Sequence, residues 1–285
     1  MSPEYAFEAQ RPRLTRLAYR MLGSLAEAQD AVQDLWLRWN GADQGAVNDP
    51  TAWLVRALTR LCLDRLRAAK ARRETYVGPW LPEPLVEDMA EDPLERAEEV
   101  SVAFLLALQR LSPLERAVFL LHDVFDQDYG AVAKALDRSE AACRQLAGRA
   151  RAHLKNARPR FSVSDEDASR LVSAFLAAAL RNDTAGLATM LAEDAVLITD
   201  GGGKRKAALR PLIGRADILR LFEGLAWRQS WRPTSHVRLA RINGLPGVVL
   251  SAEDGTTTIA FEPDGEGRLA ALYMVRNPEK LGLVG

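Results

Sequence analysis

Apolar residues mark three helices in the first quarter of the chain. Leu14, Leu17, Ala18, Met21 and Leu22 follow the i, i+3, i+4, i+7, i+8 spacing of one helix face, and Gly23 stands where that helix can end. Ala28, Ala31, Val32, Leu35 and Trp39 repeat the pattern in a second helix. Asn48-Asp49-Pro50 opens a third, because Asp49 can cap free amides and Pro50 suits a first helical position where no donor is needed. Leu54, Leu58 and Leu61 form its buried side. Residues 6–74 therefore read as all-helical.

The pattern breaks at Gly78-Pro79-Trp80-Leu81-Pro82-Glu83-Pro84. Prolines remove backbone donors and restrict the residue before them, so this stretch is expected to be extended and to serve as a linker. Helical spacing resumes from about residue 99 to 157. From about residue 165 it changes again. Two helices (about 166–181 and 184–192) and another at 215–227 are interspersed with short β-like runs at 195–199, 235–242, 247–252, 256–261 and 269–275. Asn243-Gly244 and Asp264-Gly265 supply turns. The expected fold is multidomain: two all-α modules (1–75 and 101–160) joined by a linker (76–100), then an α+β domain (161–285). A length of 285 residues suits this number of modules, since single cores usually stop growing near ~150 to 200 residues.

Hydrophobic content of 48% and charged content of 27% describe an ordinary globular chain. No apolar run approaches the ~20 residues that span a bilayer, and Met-Ser-Pro-Glu-Tyr carries no signal-peptide pattern, so no membrane partner and a cytoplasmic location are expected. Cys62 and Cys143 lack metal-ligand spacing and fall within apolar helical patterns, so they read as buried thiols; no metal or cofactor is expected.

The net charge is zero, yet its distribution is uneven. Seven basic residues lie between Arg56 and Arg73 against Asp64 alone, and seven more between Arg138 and Arg160 against Glu140 alone. Glu83 to Glu99 holds eight acids and only Arg96. Two basic segments flanking an acidic one suggest phosphate contacts at two places.

The second basic segment has a shape. Tyr129–Leu136 reads as a short helix, Leu136-Asp137-Arg138-Ser139 as a tight turn, and Ser139 as the cap of a further helix. There Cys143, Leu146, Ala147, Ala150 and Leu154 form the packed side, while Arg144, Gly148, Arg151 and Lys155 form a neighbouring stripe. This is helix-turn-helix spacing with a basic recognition helix; an ordinary αα-hairpin with solvated arginines would show the same spacing. On the helix after Pro50, the side chains Trp53, Arg56, Arg60, Arg67 and Lys70 share one broad face. Stacking combined with counterion release is what a surface handling unstacked bases requires, although Trp53 alone could equally be core.

Taken together these segments resemble the bacterial sigma-70 superfamily, specifically the extracytoplasmic-function sigma factors. Ala28-Gln29-Asp30-Ala31-Val32-Gln33-Asp34-Leu35-Trp36-Leu37-Arg38-Trp39 looks like the helix that grips core RNA polymerase, with Gln29 where the family usually has an acid. The resemblance assigns polymerase contact to Asp30, Gln33, Asp34, Trp36 and Arg38. Pro50–Arg56 and Leu61–Arg67 look like the regions that melt and read the −10 element, which gives that role to Trp53, Arg56, Arg60, Arg67 and Lys70. Arg60 replaces an Asn of many relatives, leaving the −10 sequence open. Leu111–Phe119 with the helix-turn-helix is similar to region 4, reader of the −35 element, through Ser139, Arg144, Gln145, Arg149, Arg151 and Lys155. The implied partners are core RNA polymerase and promoter DNA.

A narrower resemblance covers the rest. Trp80-Leu81-Pro82-Glu83-Pro84, Asp200-Gly201-Gly202-Gly203-Lys204 and Asn277-Pro278-Glu279-Lys280-Leu281 are similar to signatures of a subgroup carrying a C-terminal SnoaL-like domain of the NTF2-like cone fold. The resemblance implies regulation in cis, with no separate anti-sigma factor required, through Trp80, Leu81, Pro82, Asp200, Gly202, Lys204, Asn277, Pro278 and Leu281. The Gly triplet is not a phosphate loop, because Arg205 rather than Ser or Thr follows Lys204.

Two other readings are weighed. A catalytic cone domain would need a carboxylate base and a facing acid; Asp200, Asp217, His236 and Tyr273 are available by type, but their spacing pairs none of them, and no catalytic residue is expected. A small unidentified ligand in that domain is the better expectation. A one-component repressor or activator would explain the helix-turn-helix but leaves the 28–39 helix and the Trp53/Arg56/Arg60 face unused.

Overall fold

A computed structural model describes residues 3–73, 75–88, 101–155, 165–227 and 236–284. The chain divides into two compact units: residues 1–75 with 103–158, and residues 76–102 with 159–285.

The first unit is helical. It comprises α1 (Pro3–Glu8), α2 (Arg11–Leu22), α3 (Leu25–Asn40), α4 (Pro50–Arg73), α5 (Val102–Gln109), α6 (Pro113–Phe119), α7 (Tyr129–Leu136) and α8 (Glu140–Leu154). Gly23 ends α2 in the left-handed conformation (φ 75°), its amide donating to the Tyr19 carbonyl. Ser24 Oγ then accepts the Glu27 amide at 3.1 Å and starts α3. Asp49 does the same for α4 through the Ala52 amide at 3.0 Å. The apolar stripes read from the sequence are the buried ones, with Leu14, Leu17, Ala28, Leu35, Leu54 and Leu58 almost wholly covered. Cys62 and Cys143 are buried free thiols, and burial pushes the Cys62 thiol up to about 12.

The two helical sets pack on each other, α4 lying against α6 and α7. Arg116 stitches them. Its Nη1 donates to the Met21 carbonyl at 2.5 Å and its Nε to the Leu108 carbonyl at 2.9 Å, with the residue only 3% exposed. A capping box formed by Ser112 and Glu115 starts the helix that carries it. Residues Leu120–Val124 continue that helix as a π-turn.

The second unit is α+β. Three helices, α9 (Asp165–Arg181), α10 (Thr184–Met190) and α11 (Arg215–Trp227), accompany strands β1 (Val86–Asp88), β2 (Leu191–Asp200), β3 (Leu212–Ile213), β4 (His236–Ile242), β5 (Leu245–Ala252), β6 (Gly255–Pro263) and β7 (Leu269–Val275). Among the described residues the sheet order is β1-β4-β5-β6-β7-β2-β3, with β2 and β7 parallel and the other neighbours antiparallel. All three helices contribute to one core with β2, β5, β6 and β7. At its centre Phe175 meets Phe222 and Phe261 edge-on, centroids 5.4 and 5.3 Å away.

Several boundaries differ from expectation, among them the strands expected at 195–199 and 256–261, which run Leu191–Asp200 and Gly255–Pro263. The helix expected to reach residue 192 stops at Met190, because Leu191 turns extended (φ −94°, ψ 135°) and pairs with Leu269. The strand expected from Gly247 begins at Leu245, since Asn243 (φ 50°) and Gly244 (φ 74°) form a two-residue hairpin turn that brings Ile242 opposite Leu245. The acidic linker is also more than a tether: Val86–Asp88 adds an antiparallel edge strand to β4. Ser235, Glu99 and the remainder of the linker's acidic run from Met89 lie outside the described residues.

Candidate nucleic-acid interfaces and linker clasp

The helix-turn-helix is built as its sequence implies. The Asp128 carboxylate caps α7, Asp137 turns the chain with φ 55°, and Ser139 Oγ accepts the Ala142 amide at 3.2 Å to start α8. Cys143, Leu146, Ala147, Ala150 and Leu154 are buried, which turns Arg144, Gln145, Arg149, Arg151 and Lys155 outward. Three of these arginines hold internal acids: Arg144 with Glu140 at 2.6 Å, Arg149 with Glu115 at 3.2 Å, and Arg151 with Asp123 at 2.7 Å. Arg144 also lies over the Tyr129 ring, 5.3 Å from its centroid. The Arg144–Glu140 pair is exposed on both sides and contributes little to stability, whereas Glu115 is buried.

On α4, Arg56, Arg60 and Arg67 are exposed, and Arg67 pairs with Asp64 one turn earlier. Trp53 is half-buried and leans on Trp39, centroids 5.2 Å apart, so one part of the ring is core and the other is accessible. The Lys70 side chain lies outside the described residues.

Of the five positions assigned to α3, Asp30, Gln33, Asp34 and Arg38 are exposed. Asp34 also ion-pairs with Arg65 of α4 at 2.6 Å, and Trp36 is half-buried against Phe7, centroids 4.9 Å apart. Both therefore hold the helices together as well as facing outward.

The linker and the C-terminal domain meet around one carboxylate. Asp200, at the end of β2, is fully buried. Its Oδ1 accepts the Tyr76 hydroxyl at 2.5 Å and the Gly202 amide at 3.0 Å; its Oδ2 accepts the Leu81 amide at 2.8 Å and Lys280 Nζ at 2.7 Å. Lys280 also donates to the Leu81 carbonyl at 2.6 Å and stands over the Trp80 ring, 4.1 Å from its centroid. Asn277 Nδ2 donates to the Tyr76 oxygen at 3.0 Å, and its Oδ1 accepts the Glu279 amide to start the Pro278–Lys280 turn. Leu81, Pro82 and Leu281 are buried, and Lys204 pairs with Glu279. Burial, followed by the Asp200 carboxylate, pushes the Tyr76 phenol upward, so it stays a donor.

Gly202 has a reason to be glycine. Its φ is 59°, and a Cβ there would meet Asn277 Nδ2 at 2.3 Å. The three separated motifs thus converge on one clasp. Tyr76 and Lys280, which complete it, were not singled out from the sequence; Lys280 sits inside the third motif, whereas nothing local marks Tyr76.

Residues 6–72 match the family model described as Sigma-70 region 2, and residues 101–154 match that described as Sigma-70, region 4. The chain is 38% identical over 292 aligned residues to the ECF RNA polymerase sigma factor SigJ of Mycobacterium tuberculosis, covering 96% of this chain and 91% of that one. It belongs to the extracytoplasmic-function sigma factors. The crystal structure of SigJ superposes with a TM-score of 0.78 at 34% identity, covering 97% of each chain, so the C-terminal α+β domain is shared. A second relative, the probable ECF sigma factor SigI of the same organism, is 35% identical over 183 residues, covering 62% of this chain and 63% of that one. As a sigma factor the chain directs transcription initiation by RNA polymerase at promoters.

In this sigma factor the four groups weighed for catalysis have separate engagements. Asp200 is saturated by its four donors, Asp217 pairs with Arg220, the Tyr273 hydroxyl donates to Glu262 at 2.6 Å, and His236 is exposed. Among the described residues no helix is long and apolar enough to cross a membrane, and no cluster of metal-ligating side chains occurs.

Proposed function

We propose that this sigma factor is regulated in cis by its C-terminal domain through the linker clasp, acts in the cytoplasm, and needs no separate anti-sigma partner. The observation that carries the reading is the buried Asp200 carboxylate, two of whose four donors come from the linker. A buried, hydrogen-bonded charge is costly to leave without its partners, which disfavours release of the linker from it. The clasped segment is the covalent connection between the two helical modules. Its capture limits how far those modules can part, and simultaneous contact with the −10 and −35 elements requires them to part. Within this reading the outward face of α3 contacts core polymerase, α4 handles the −10 strand and α8 reads the −35 element, with residues 161–285 as the regulatory domain.

The test is transcription in vitro with core polymerase and a cognate promoter, comparing the full chain with Trp80→Ala, Asp200→Ala and a truncation after Arg160. Regulation through the clasp predicts that all three change promoter-dependent transcription in the same direction. Transcription identical to that of the intact chain in all three overturns it.

A further inference from the structure

The loop after β2 has two sides. Gly202 and Gly203 press on Asn277 and Val77, within the clasp. Lys204 and Arg205 instead help to line a cavity of about 680 Å³, a size that suits a small organic ligand. Its apolar lining includes Leu221 and Met274. Its polar lining is unbalanced.

Arg205 and Arg276 both lean on one oxygen, Oδ2 of Asp254, the latter at 2.8 Å. Their side chains are only 11% and 19% exposed. Arg205 Nη1 spends its remaining contact on the Thr256 carbonyl at 2.6 Å, and Arg276 Nη1 donates to the Lys206 carbonyl at 2.7 Å. Lys206 also lines the cavity, is exposed, and its ammonium has no ion-pair partner among the described residues. Two guanidiniums and an ammonium thus face one carboxylate. Burial, and then the charge of Arg205, hold the Arg276 guanidinium below its ordinary value, the signature of a crowded cation. Partly buried charge of one sign is stabilised by an added counter-charge, and guanidiniums match carboxylates and phosphates in shape.

We infer that this cavity binds a small organic anion, a carboxylate or phosphate monoester carried on an apolar body. The anionic group would sit on Arg276 and Lys206 while the body packs on Leu221 and Met274. Because the same loop closes the clasp on its other side, the occupant would lie next to the regulatory contact. The inference rests on the C-terminal domain being the regulator for its purpose, but its test reads binding alone. A failed titration and a failed transcription assay are therefore separate results.

The test is calorimetric titration of the full chain, without polymerase, with 1-naphthoate and its neutral counterpart 1-naphthamide. A charge-assisted site predicts saturable naphthoate binding at least about tenfold tighter than the amide. Lys206→Ala, on the surface, and Arg276→Gln should each bring naphthoate down toward the amide. Absent binding, equal affinity for both probes, or naphthoate affinity unchanged in Lys206→Ala overturns the assignment, whether or not Arg276→Gln folds.

Discussion

The Leu81 amide donates to the Asp200 carboxylate at 2.8 Å across 119 residues of sequence, and the acceptor is fully buried. A proline-rich segment has few amides, and this one is spent on a buried carboxylate of the C-terminal domain that also pairs with Lys280. Removing that carboxylate would leave the Lys280 ammonium, the Tyr76 hydroxyl and the Leu81 amide without their shared acceptor. Asp200→Ala should therefore destabilise the C-terminal unit by about 3–5 kcal/mol, as for other broken buried pairs. Hydrogen exchange reads it: the Leu81 amide should be protected in the parent and exchange freely in the variant. Equal protection would show that Leu81 is held by other contacts.

Gly202 gives a subtler lever on the same contact. Alanine there must adopt φ near 59° and push against Asn277, whose Nδ2 holds Tyr76. Gly202→Ala is expected to cost about 1–3 kcal/mol through backbone strain and displacement. Gly282→Ala is the control, because nothing lies within 4 Å of its would-be Cβ. The thermal midpoint should fall for the first and hold for the second. Two equal midpoints would remove the close approach as the reason for glycine.

The helix caps, the apolar stripes and the helix-turn-helix were legible because each is a local pattern: Asp49, Ser139 and Gly23 act on residues within one turn. The clasp was legible only as three motifs, and by resemblance; their convergence depends on long-range pairing that periodicity does not encode. Tyr76 illustrates the limit, since its partners Asp200 and Asn277 are 124 and 201 residues away. So does Val86–Asp88, whose β role comes from its partner strand rather than from alternation of its own. Asp34 and Trp36 were readable as helix-surface residues, but their engagement with Arg65 and Phe7 was not, because those partners belong to other helices.

Within the proposed reading, roles along α8 should separate by depth in the recognition helix. Arg144 and Gln145 lie in its first turns, whereas Lys155 follows its last one. Arg144→Ala should lower affinity for the −35 element by ~1–3 kcal/mol and relax preference at one base pair. Lys155→Ala should weaken every sequence alike and flatten the salt dependence by about one phosphate contact. Binding to promoter variants across a salt series checks both. Uniform losses for both variants would cancel the division.

Arg116 tests whether the packed arrangement of the two helical sets restrains promoter binding. It is nearly inaccessible, and its guanidinium bridges the Met21 carbonyl, at the end of α2, to the Leu108 carbonyl, at the end of α5. Both carbonyls belong to the last turns of their helices; Leu108 also accepts the Leu111 amide at 3.2 Å, so the arginine is its second donor. Arg116→Met keeps much of the length and apolar stem but removes the guanidinium from both carbonyls, leaving Leu108 with the Leu111 amide alone. That should cost about 1–3 kcal/mol in the helical unit, roughly the penalty of one unsatisfied buried group. If separation of the two sets accompanies promoter engagement, weakening this stitch lowers the cost of opening. The variant should then be less stable to denaturant yet bind promoter DNA with core polymerase at least as well as the parent. Distances between labels at positions 67 and 151 should broaden in the free variant. A narrow, unchanged distribution together with reduced promoter binding would mean that Arg116 merely supports the fold of the DNA-reading helices, and that the packed state is not the restraint.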